Sequence, residues 1–477
     1  MIAIAHAGAA LCLRPISMRP TDAYTTQAST NQNEFLVFFN EHTCVGHFDF
    51  RIPGCNANQT EVMSALGEFH KFAVAKGPDS FHVRVSGTET LSLSVHDFEH
   101  VDCRYTTIPF HVKHRGVYTL QAWHLYENYN AFSIDDENFA PYTPGLMTAA
   151  LAYSVNYSTT YLLPPTHTAS VFCHQNNHFT HDISVGHRHR EATRPLCDSG
   201  GHAPGRWIVH TSNSSSLDFQ AATQDNFRSL ATVASWEPDA CTLPSMETLS
   251  SGLTSPNGET LDIYILGDSH FRTLANGFWF ALSGTNDTDA DIFHHTDMHA
   301  LKDNNVKYRN GFRIVYCIYT RPDMADFGDC DPGKISSHRA VVITGTAAWP
   351  LSTVGTGHVM TPDEYRRNLT SNFLPAWKSW LDESLQRRIY FVSSIAQPMY
   401  FSLWLNRTHD HRNNFLNVLY NDIAADVFRG SRIKMFDVFS ISLPVNHLSL
   451  DRAHYTGAVL RETVRVVMHA LLTPSSS

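Results

Sequence analysis

The residues best suited to chemistry begin with Ser269, in the segment ILGDSHFRTLA of residues 265–275. A buried apolar run ends at Gly267, and the pattern of a helix with apolar Phe271, Leu274 and Phe278 follows it, so we predict Ser269 at a strand-to-helix junction. That edge of an α/β sheet binds ligands, and the first N–H groups of the helix favour negative charge. These are the parts of an acyl-transfer site, a nucleophile and oxyanion donors. The alternative is a plain helix cap.

A second candidate group lies near the carboxyl terminus, in the segment SLDRAHY of residues 449–455. A serine hydroxyl is a weak nucleophile until a base takes its proton, and a carboxylate that orients an imidazole completes such a base. We therefore predict His454 as the base and Asp451 as the carboxylate that orients it. His447 and Asp437 are the reserve candidates. The alternative without catalysis is a helix N-cap beside a surface histidine.

The elements that position these groups are predicted from residue 261 onward, where short apolar runs alternate with helical patterns. The apolar runs cover residues 261–266, 313–319, 340–344, 389–393 and 433–438. Between them, a helix that begins at Thr361-Pro-Asp-Glu364 has the N-cap, proline and glutamate of a capping box. The last helix carries one apolar face, formed by Leu460, Val464, Val467 and Leu471. Strands that alternate with helices predict an α/β domain with a mostly parallel sheet over residues 205–477.

Upstream, residues 35–161 show the period-two alternation of apolar and polar residues that is typical of strands. We predict that they form an all-β sandwich of the immunoglobulin-like type. Residues 162–204 follow as a polar bridge rich in histidine. Histidines beside Cys173 and Cys197 suggest zinc ligands, but they lack a compact ligand spacing, and no metal site is predicted.

The composition excludes two classes of function. The chain has 477 residues and lacks any run of about 18 uncharged apolar residues, which excludes a multi-pass membrane protein. Its formal net charge is −10 and no long basic stripe occurs. Nucleic acid is therefore not an expected partner.

Cysteines and glycosylation sequons indicate the cellular compartment. One of the nine cysteines, Cys12, lies in the apolar opening segment, which leaves an even number. Six N-x-[ST] sequons occur, at Asn58, Asn156, Asn213, Asn286, Asn368 and Asn406. Residues 1–30 are predicted to be a signal-like segment or one derived from a membrane anchor. We predict the secretory pathway, either the Golgi lumen or the extracellular space, and no particular disulfide pairing.

These motifs resemble those of the SGNH hydrolases, in particular their PC-esterase branch. That branch includes plant trichome-birefringence-like proteins, the sialic acid O-acetyltransferase domain and the neurexophilin-and-PC-esterase-domain proteins. The resemblance rests on Gly-Asp-Ser-His-Phe-Arg after a strand and on the terminal Asp-x-x-His. It extends upstream to Leu196-Cys197, Gly205-Arg-Trp-Ile208 and Trp236-x-Pro238-x-x-Cys241-x-Leu-Pro244. It covers about residues 196–470, and the upstream sandwich is similar to the neurexophilin-type architecture.

The resemblance implies that Ser269 is the nucleophile and that Asp451 and His454 complete its triad. It implies an oxyanion hole formed by the backbone N–H groups of Ser269 and Gly345. Four residues would support the nucleophile: Gly267, Asp268, His270 and Arg272. Of these, Asp268 would bond the backbone of the turn, and Arg272 would either hold the loop or bind an acyl donor.

The chain departs from the family at the glycine block that contains Gly345. The family usually places asparagine and then histidine there, whereas this chain has Ile343, Thr344, Thr346 and Ala347. A side-chain donor to the oxyanion is therefore missing, and removal of one such donor lowers turnover on the order of 10²–10³-fold.

The resemblance implies a serine-dependent glycan O-acetyltransferase or O-acetylesterase that works through an acyl-enzyme. Its partners would be an acetyl donor and a carbohydrate or glycoprotein acceptor, and no cofactor is implied. The alternative is a secreted binding protein on an inactive esterase scaffold, which the altered residues 343–347 favour.

Overall fold

The computed structural model describes residues 14–17, 19–20, 34–52, 67–77, 79–126, 167–174, 195–197, 204–209, 234–252, 260–283, 306–309, 311–323, 327–346, 349–352, 359–397, 412–448, 454–455 and 457–472. The chain forms two compact units. The first comprises Met1–Met63, His70–Tyr129 and Pro164–His189. The second comprises Ser64–Phe69, Asn130–Leu163 and Arg190–Ser477.

The first unit is built from antiparallel strands. Its strands are β1 (Arg14–Ser17), β2 (Arg19–Pro20), β3 (Glu34–Asn40), β4 (Val45–Arg51), β5 (Ser80–Ser86), β6 (Glu89–Leu93), β7 (Phe98–Val101), β8 (Arg104–Thr107), β9 (Phe110–His111), β10 (Gly116–Tyr126) and β11 (His167–Cys173). A helix, α1 (Gly67–Lys76), precedes β5, and its residues from His70 onward belong to this unit. One sheet has the order β1-β3-β4-β8-β7 with β9 beside β4, and a second includes the neighbours β6-β5-β10-β11-β2.

One apolar core contains side chains from both of these sheets, such as Phe48 and Phe50 from β4 and Val83 from β5. It forms because alternate residues of each strand point to the same face of the sheet. The β-structure predicted for residues 35–161 is present in the described strands. The immunoglobulin-like type stays a prediction.

Two segments that were predicted to lie outside the β-sandwich, residues 1–30 and 162–204, contribute strands to this unit. Strands β1 and β2 fall within residues 1–30 and pair with β3 and β11, respectively. Strand β11 falls within the predicted bridge and pairs with β10 over seven residues. Its sequence, HTASVFC, buries Ala169, Val171 and Cys173 on one face, so period-two alternation also explains this strand.

The second unit has one mixed sheet flanked by helices. Its strands are β12 (Gly205–Val209), β13 (Ala234–Pro238), β14 (Leu261–Gly267), β15 (Val306–Arg309), β16 (Phe312–Ile318), β17 (Ala340–Thr344), β18 (Arg388–Val392) and β19 (Ile433–Phe436). Its helices are α2 (Met246–Gly252), α3 (Ser269–Ser283), α4 (Pro362–Asn368), α5 (Leu374–Asp382), α6 (Asn414–Phe428), α7 (Phe439–Ser442) and α8 (Gly457–Leu472). A six-stranded sheet has the order β15-β16-β14-β17-β18-β19, while β12 and β13 pair with each other.

Five neighbouring strands of this sheet run parallel: β16, β14, β17, β18 and β19. The edge strand β15 pairs with β16 in the antiparallel direction. This confirms the predicted α/β fold with a mostly parallel sheet. Each of the five predicted apolar runs overlaps one of the parallel strands, because central parallel strands are buried on both faces. The predicted capping box is also present, since Thr361 and Glu364 bond each other's backbone N–H groups.

Two helices of this unit place the candidate residues beside each other. Helix α3 begins at Ser269, helix α8 begins three residues after His454, and the two helices pack together. Their close approach requires Gly277, because a Cβ atom there would lie 2.8 Å from the Val464 side chain. The apolar face predicted for α8 is the one that packs, with Val464, Val467 and Leu471 buried.

Each of the two units contains disulfide bonds. The described pairs are Cys44–Cys173 in the first unit and Cys197–Cys241 and Cys317–Cys330 in the second. Cys103 is also disulfide-bonded. These bonds are compatible with a secreted or extracellular protein, because disulfides persist in oxidising compartments. Among the described residues, no helix is both long and apolar enough to cross a membrane.

Candidate active site

Ser269 is the first residue of α3, two residues beyond the end of the central strand β14. The turn before it is held by backbone contacts. The Asp268 carboxylate accepts the His270 N–H at 2.9 Å, and the Asp268 carbonyl accepts the Arg272 N–H at 3.0 Å. Asp268 is buried, and its predicted bond to the backbone of the turn is present.

The imidazole of His454 lies against the Ser269 hydroxyl. His454 Nε2 is 2.6 Å from Ser269 Oγ, although the two residues are 185 positions apart in the chain. Both side chains are half-buried. A neutral imidazole accepts a proton through one ring nitrogen, so this contact places a base where it can take the hydroxyl proton of Ser269.

Asp451, the predicted third member of the triad, lies outside the described residues, and its role stays a prediction. The reserve carboxylate is used elsewhere. Asp437 accepts both the N–H and the hydroxyl of Ser440, at 3.0 and 2.5 Å. The other reserve residue, His447, belongs to the 3₁₀ segment Leu443–Leu448 and its side chain is outside the described part.

Two glycines end the two neighbouring central strands. Gly267 is the last residue of β14 and Gly345 follows β17, and the register Leu266↔Thr344 places them side by side. The ring of Phe271 packs on both of them. A Cβ atom at Gly267 would lie 2.0 Å from this ring, and one at Gly345 would lie 2.6 Å from it. Neither position therefore accommodates a larger residue without a shift of its surroundings.

Three of the four altered residues beside Gly345 are buried. Ile343 and Thr344 are fully buried in β17. The Thr346 hydroxyl is also buried and bonds the Tyr365 hydroxyl at 2.9 Å. All three of these side chains are buried, and Ala347 is outside the described residues.

His270 and Arg272 follow Ser269 in the first turn of α3. The His270 ring lies 4.9 Å from the His454 ring, between centroids. Arg272 is half-buried. The roles predicted for these two residues remain predictions.

Sequence reasoning missed two residues at this site, Phe271 and Tyr316. Phe271 has only the pattern of a helix residue that faces a core, yet its ring covers both glycines. Tyr316 lies in β16, beside β14, and its hydroxyl donates to the backbone carbonyls of Gly267 and Asp268. A tyrosine in an apolar run gives no sequence signal for such a contact.

Metal binding has no geometric support in the part of the chain that the structure covers. Among those residues, no three His, Cys, Asp or Glu side chains form a group that could hold a metal ion. Most bridge histidines, such as His178 and His187, lie outside that part.

Comparisons with known proteins give distant structural similarities only. No protein-family model and no curated protein sequence matches the chain. The aryl esterase of M. smegmatis is similar at 11% identity over 44% of this chain and 97% of its own, with a TM-score of 0.28. Est24, a carbohydrate acetylesterase from Sinorhizobium meliloti, is similar at 9% identity over 45% and 97%, also with a TM-score of 0.28. The lipase/acylhydrolase from Enterococcus faecalis is similar at 8% identity over 45% and 95%, with a TM-score of 0.27.

Proposed function

We propose that this protein is a serine-dependent enzyme of the SGNH type that cleaves or transfers O-acetyl esters of carbohydrates. One observation carries the proposal: the 2.6 Å contact between Ser269 Oγ and His454 Nε2 at the carboxyl edge of a parallel sheet. A nucleophile hydrogen-bonded to a base, at the start of a helix, is the arrangement that acyl transfer requires.

In the proposed first half-reaction, Ser269 Oγ attacks the carbonyl carbon of the acetyl ester while its proton passes to His454 Nε2. The negative charge that develops on the carbonyl oxygen is stabilised by the backbone N–H groups of Ser269 and Gly345. The bond to the alcohol then breaks, and the alcohol leaves with the proton from His454. The acetyl group remains on Ser269 as an ester.

In the second half-reaction, water or a sugar hydroxyl attacks this acetyl-enzyme and gives its proton to His454. Collapse of the tetrahedral intermediate returns that proton to Ser269 Oγ and releases acetate or an acetylated sugar. Asp451 orients the imidazole and stabilises its charged form. Esterase and acetyltransferase thus share every residue and differ only in the acceptor.

The substrate class is proposed from the motif resemblance, which favours glycans and glycoproteins of the secretory pathway. The disulfides of the second unit, such as Cys197–Cys241, agree with such a compartment. We propose the Golgi lumen or the extracellular space as the place of action.

A second candidate function is that of a secreted binding protein on an inactive scaffold. The observation that favours it is the inward orientation of Thr346, whose hydroxyl bonds Tyr365. With Ile343 and Thr344 also buried, the oxyanion would depend on backbone donors alone at this loop.

Release of acetate from 4-nitrophenyl acetate and from a fully O-acetylated oligosaccharide separates the two functions. We expect the wild-type protein to release acetate from both esters and Ser269→Ala to release it at the background rate. Ser336→Ala, which alters an exposed serine of the same unit, is the matched control and is expected to behave as the wild type. A wild type no faster than Ser269→Ala, with water and with an added sugar acceptor, would favour the binding protein.

A further inference from the structure

The hydroxyl of Tyr316 contacts the backbone directly before the nucleophile. Tyr316 Oη lies 2.9 Å from the carbonyl oxygen of Asp268 and 3.2 Å from that of Gly267. The register Ile265↔Tyr316 places the tyrosine on the strand beside β14, two residues before that strand ends. The side chain is 7% exposed, so the contact is shielded from water.

These carbonyl groups do not need the hydroxyl for their own hydrogen bonding. The Asp268 carbonyl also accepts the Arg272 N–H at 3.0 Å, and the Gly267 carbonyl also accepts the Tyr319 N–H at 3.0 Å. A phenylalanine at position 316 would therefore leave neither carbonyl unpaired. A purely structural need for a polar side chain at this buried position is not evident.

The Asp268 carbonyl belongs to the same peptide group as the Ser269 N–H. A hydrogen bond received by a peptide carbonyl polarises the group and strengthens its N–H as a donor, and the effect is larger in a low-dielectric environment. The Tyr316 hydroxyl, this peptide and an oxyanion at Ser269 would thus form one chain of hydrogen bonds.

The phenol keeps its proton under all ordinary conditions. Burial, together with the nearby negative charge of Asp268, raises the pKa of Tyr316 well above its usual value. The hydroxyl therefore acts as a permanent donor.

We infer that Tyr316 is a positioning residue of the oxyanion hole, which orients and polarises the Asp268–Ser269 peptide so that the Ser269 N–H can stabilise the tetrahedral intermediate. This inference rests on the proposed esterase function. In this role Tyr316 acts through the peptide alone, since its hydroxyl bonds the backbone carbonyls.

Tyr316→Phe tests the inference, with Tyr390→Phe as the matched control. Tyr390 is also buried in the same sheet and donates at 2.9 Å to the carbonyl of Ala470, at the far end of α8. With 4-nitrophenyl acetate, we expect Tyr316→Phe to lower kcat roughly 3- to 10-fold without a change in KM, as the loss of one hydrogen bond predicts. Its affinity for phenylboronic acid, which forms a tetrahedral adduct with an active serine, should fall by the same factor.

The control separates this role from a general packing effect. Tyr390→Phe should keep the kcat and the boronate affinity of the wild type, while both variants should lose a similar, small amount of thermal stability. A Tyr316→Phe variant whose kcat and boronate affinity equal those of the control would overturn the inference alone. A wild type without turnover dependent on Ser269 would overturn the proposed function and this inference with it.

Discussion

Substitution of Ser269 or His454 by alanine is expected to lower kcat for acetyl-ester cleavage by at least about 10⁴-fold. The physical reason is the 2.6 Å contact between Ser269 Oγ and His454 Nε2. Without the imidazole, the hydroxyl keeps its proton, and without the hydroxyl, the imidazole has no nucleophile to activate. KM should change little, because neither group is required to bind the ester before reaction.

The double variant distinguishes a catalytic pair from two independent contributions. If the two residues act as one unit, Ser269→Ala/His454→Ala should be no slower than either single variant. His338→Ala, which alters an exposed histidine of the same unit, serves as the control and should match the wild type. Losses that multiply in the double variant, or a His454→Ala variant with wild-type kcat, would contradict the assignment of His454 as the base.

The second large effect is expected for Gly345→Ala. A Cβ atom at this position would lie 2.5 Å from the carbonyl oxygen of Val392 and 2.6 Å from the Phe271 ring. The first contact is with the backbone of the neighbouring strand, so the loop after β17 must move. We expect a loss of about 1–3 kcal/mol in the free energy of unfolding. Because the Gly345 N–H is a proposed oxyanion donor, kcat should also fall, on the order of 10²-fold.

Gly333→Ala is the matched control for this substitution. A Cβ atom at Gly333 would meet only the Asp331 carboxylate, at 3.1 Å. Its effect on the free energy of unfolding should stay within about 0.5 kcal/mol, without an effect on kcat. Urea unfolding and steady-state kinetics on both variants provide the two readouts. A Gly345→Ala protein that is destabilised but retains wild-type kcat would remove Gly345 from the oxyanion hole.

The sheet of the second unit could be predicted from the sequence because its signals are local. Residues 340–344 form β17 as predicted, since a short apolar run bounded by polar residues is what a buried parallel strand requires. The capping box at Thr361 is equally local. The contact of Ser269 with His454 was expected for a different reason, since a serine hydroxyl becomes a nucleophile only when a base takes its proton.

The contacts around Ser269 could not be predicted, because they join residues far apart in the chain. Tyr316 is 48 residues from Asp268, and its apolar neighbours indicate only that it is buried. The packing of Phe271 on Gly345 and of Gly277 on α8 likewise joins residues that are far apart in the chain. Hydrophobic periodicity shows that a side chain is buried, but it does not show which group the side chain meets.

Covalent labelling of the wild-type protein with a fluorophosphonate tests the central claim most directly. These reagents phosphonylate a serine hydroxyl that an adjacent base has activated, and peptide mass spectrometry locates the adduct. We expect one adduct, on the peptide that contains Ser269, and a rate of labelling that becomes negligible in His454→Ala. An unlabelled Ser269, or labelling at the same rate in the wild type and in His454→Ala, would contradict a serine–histidine acyl-transfer site.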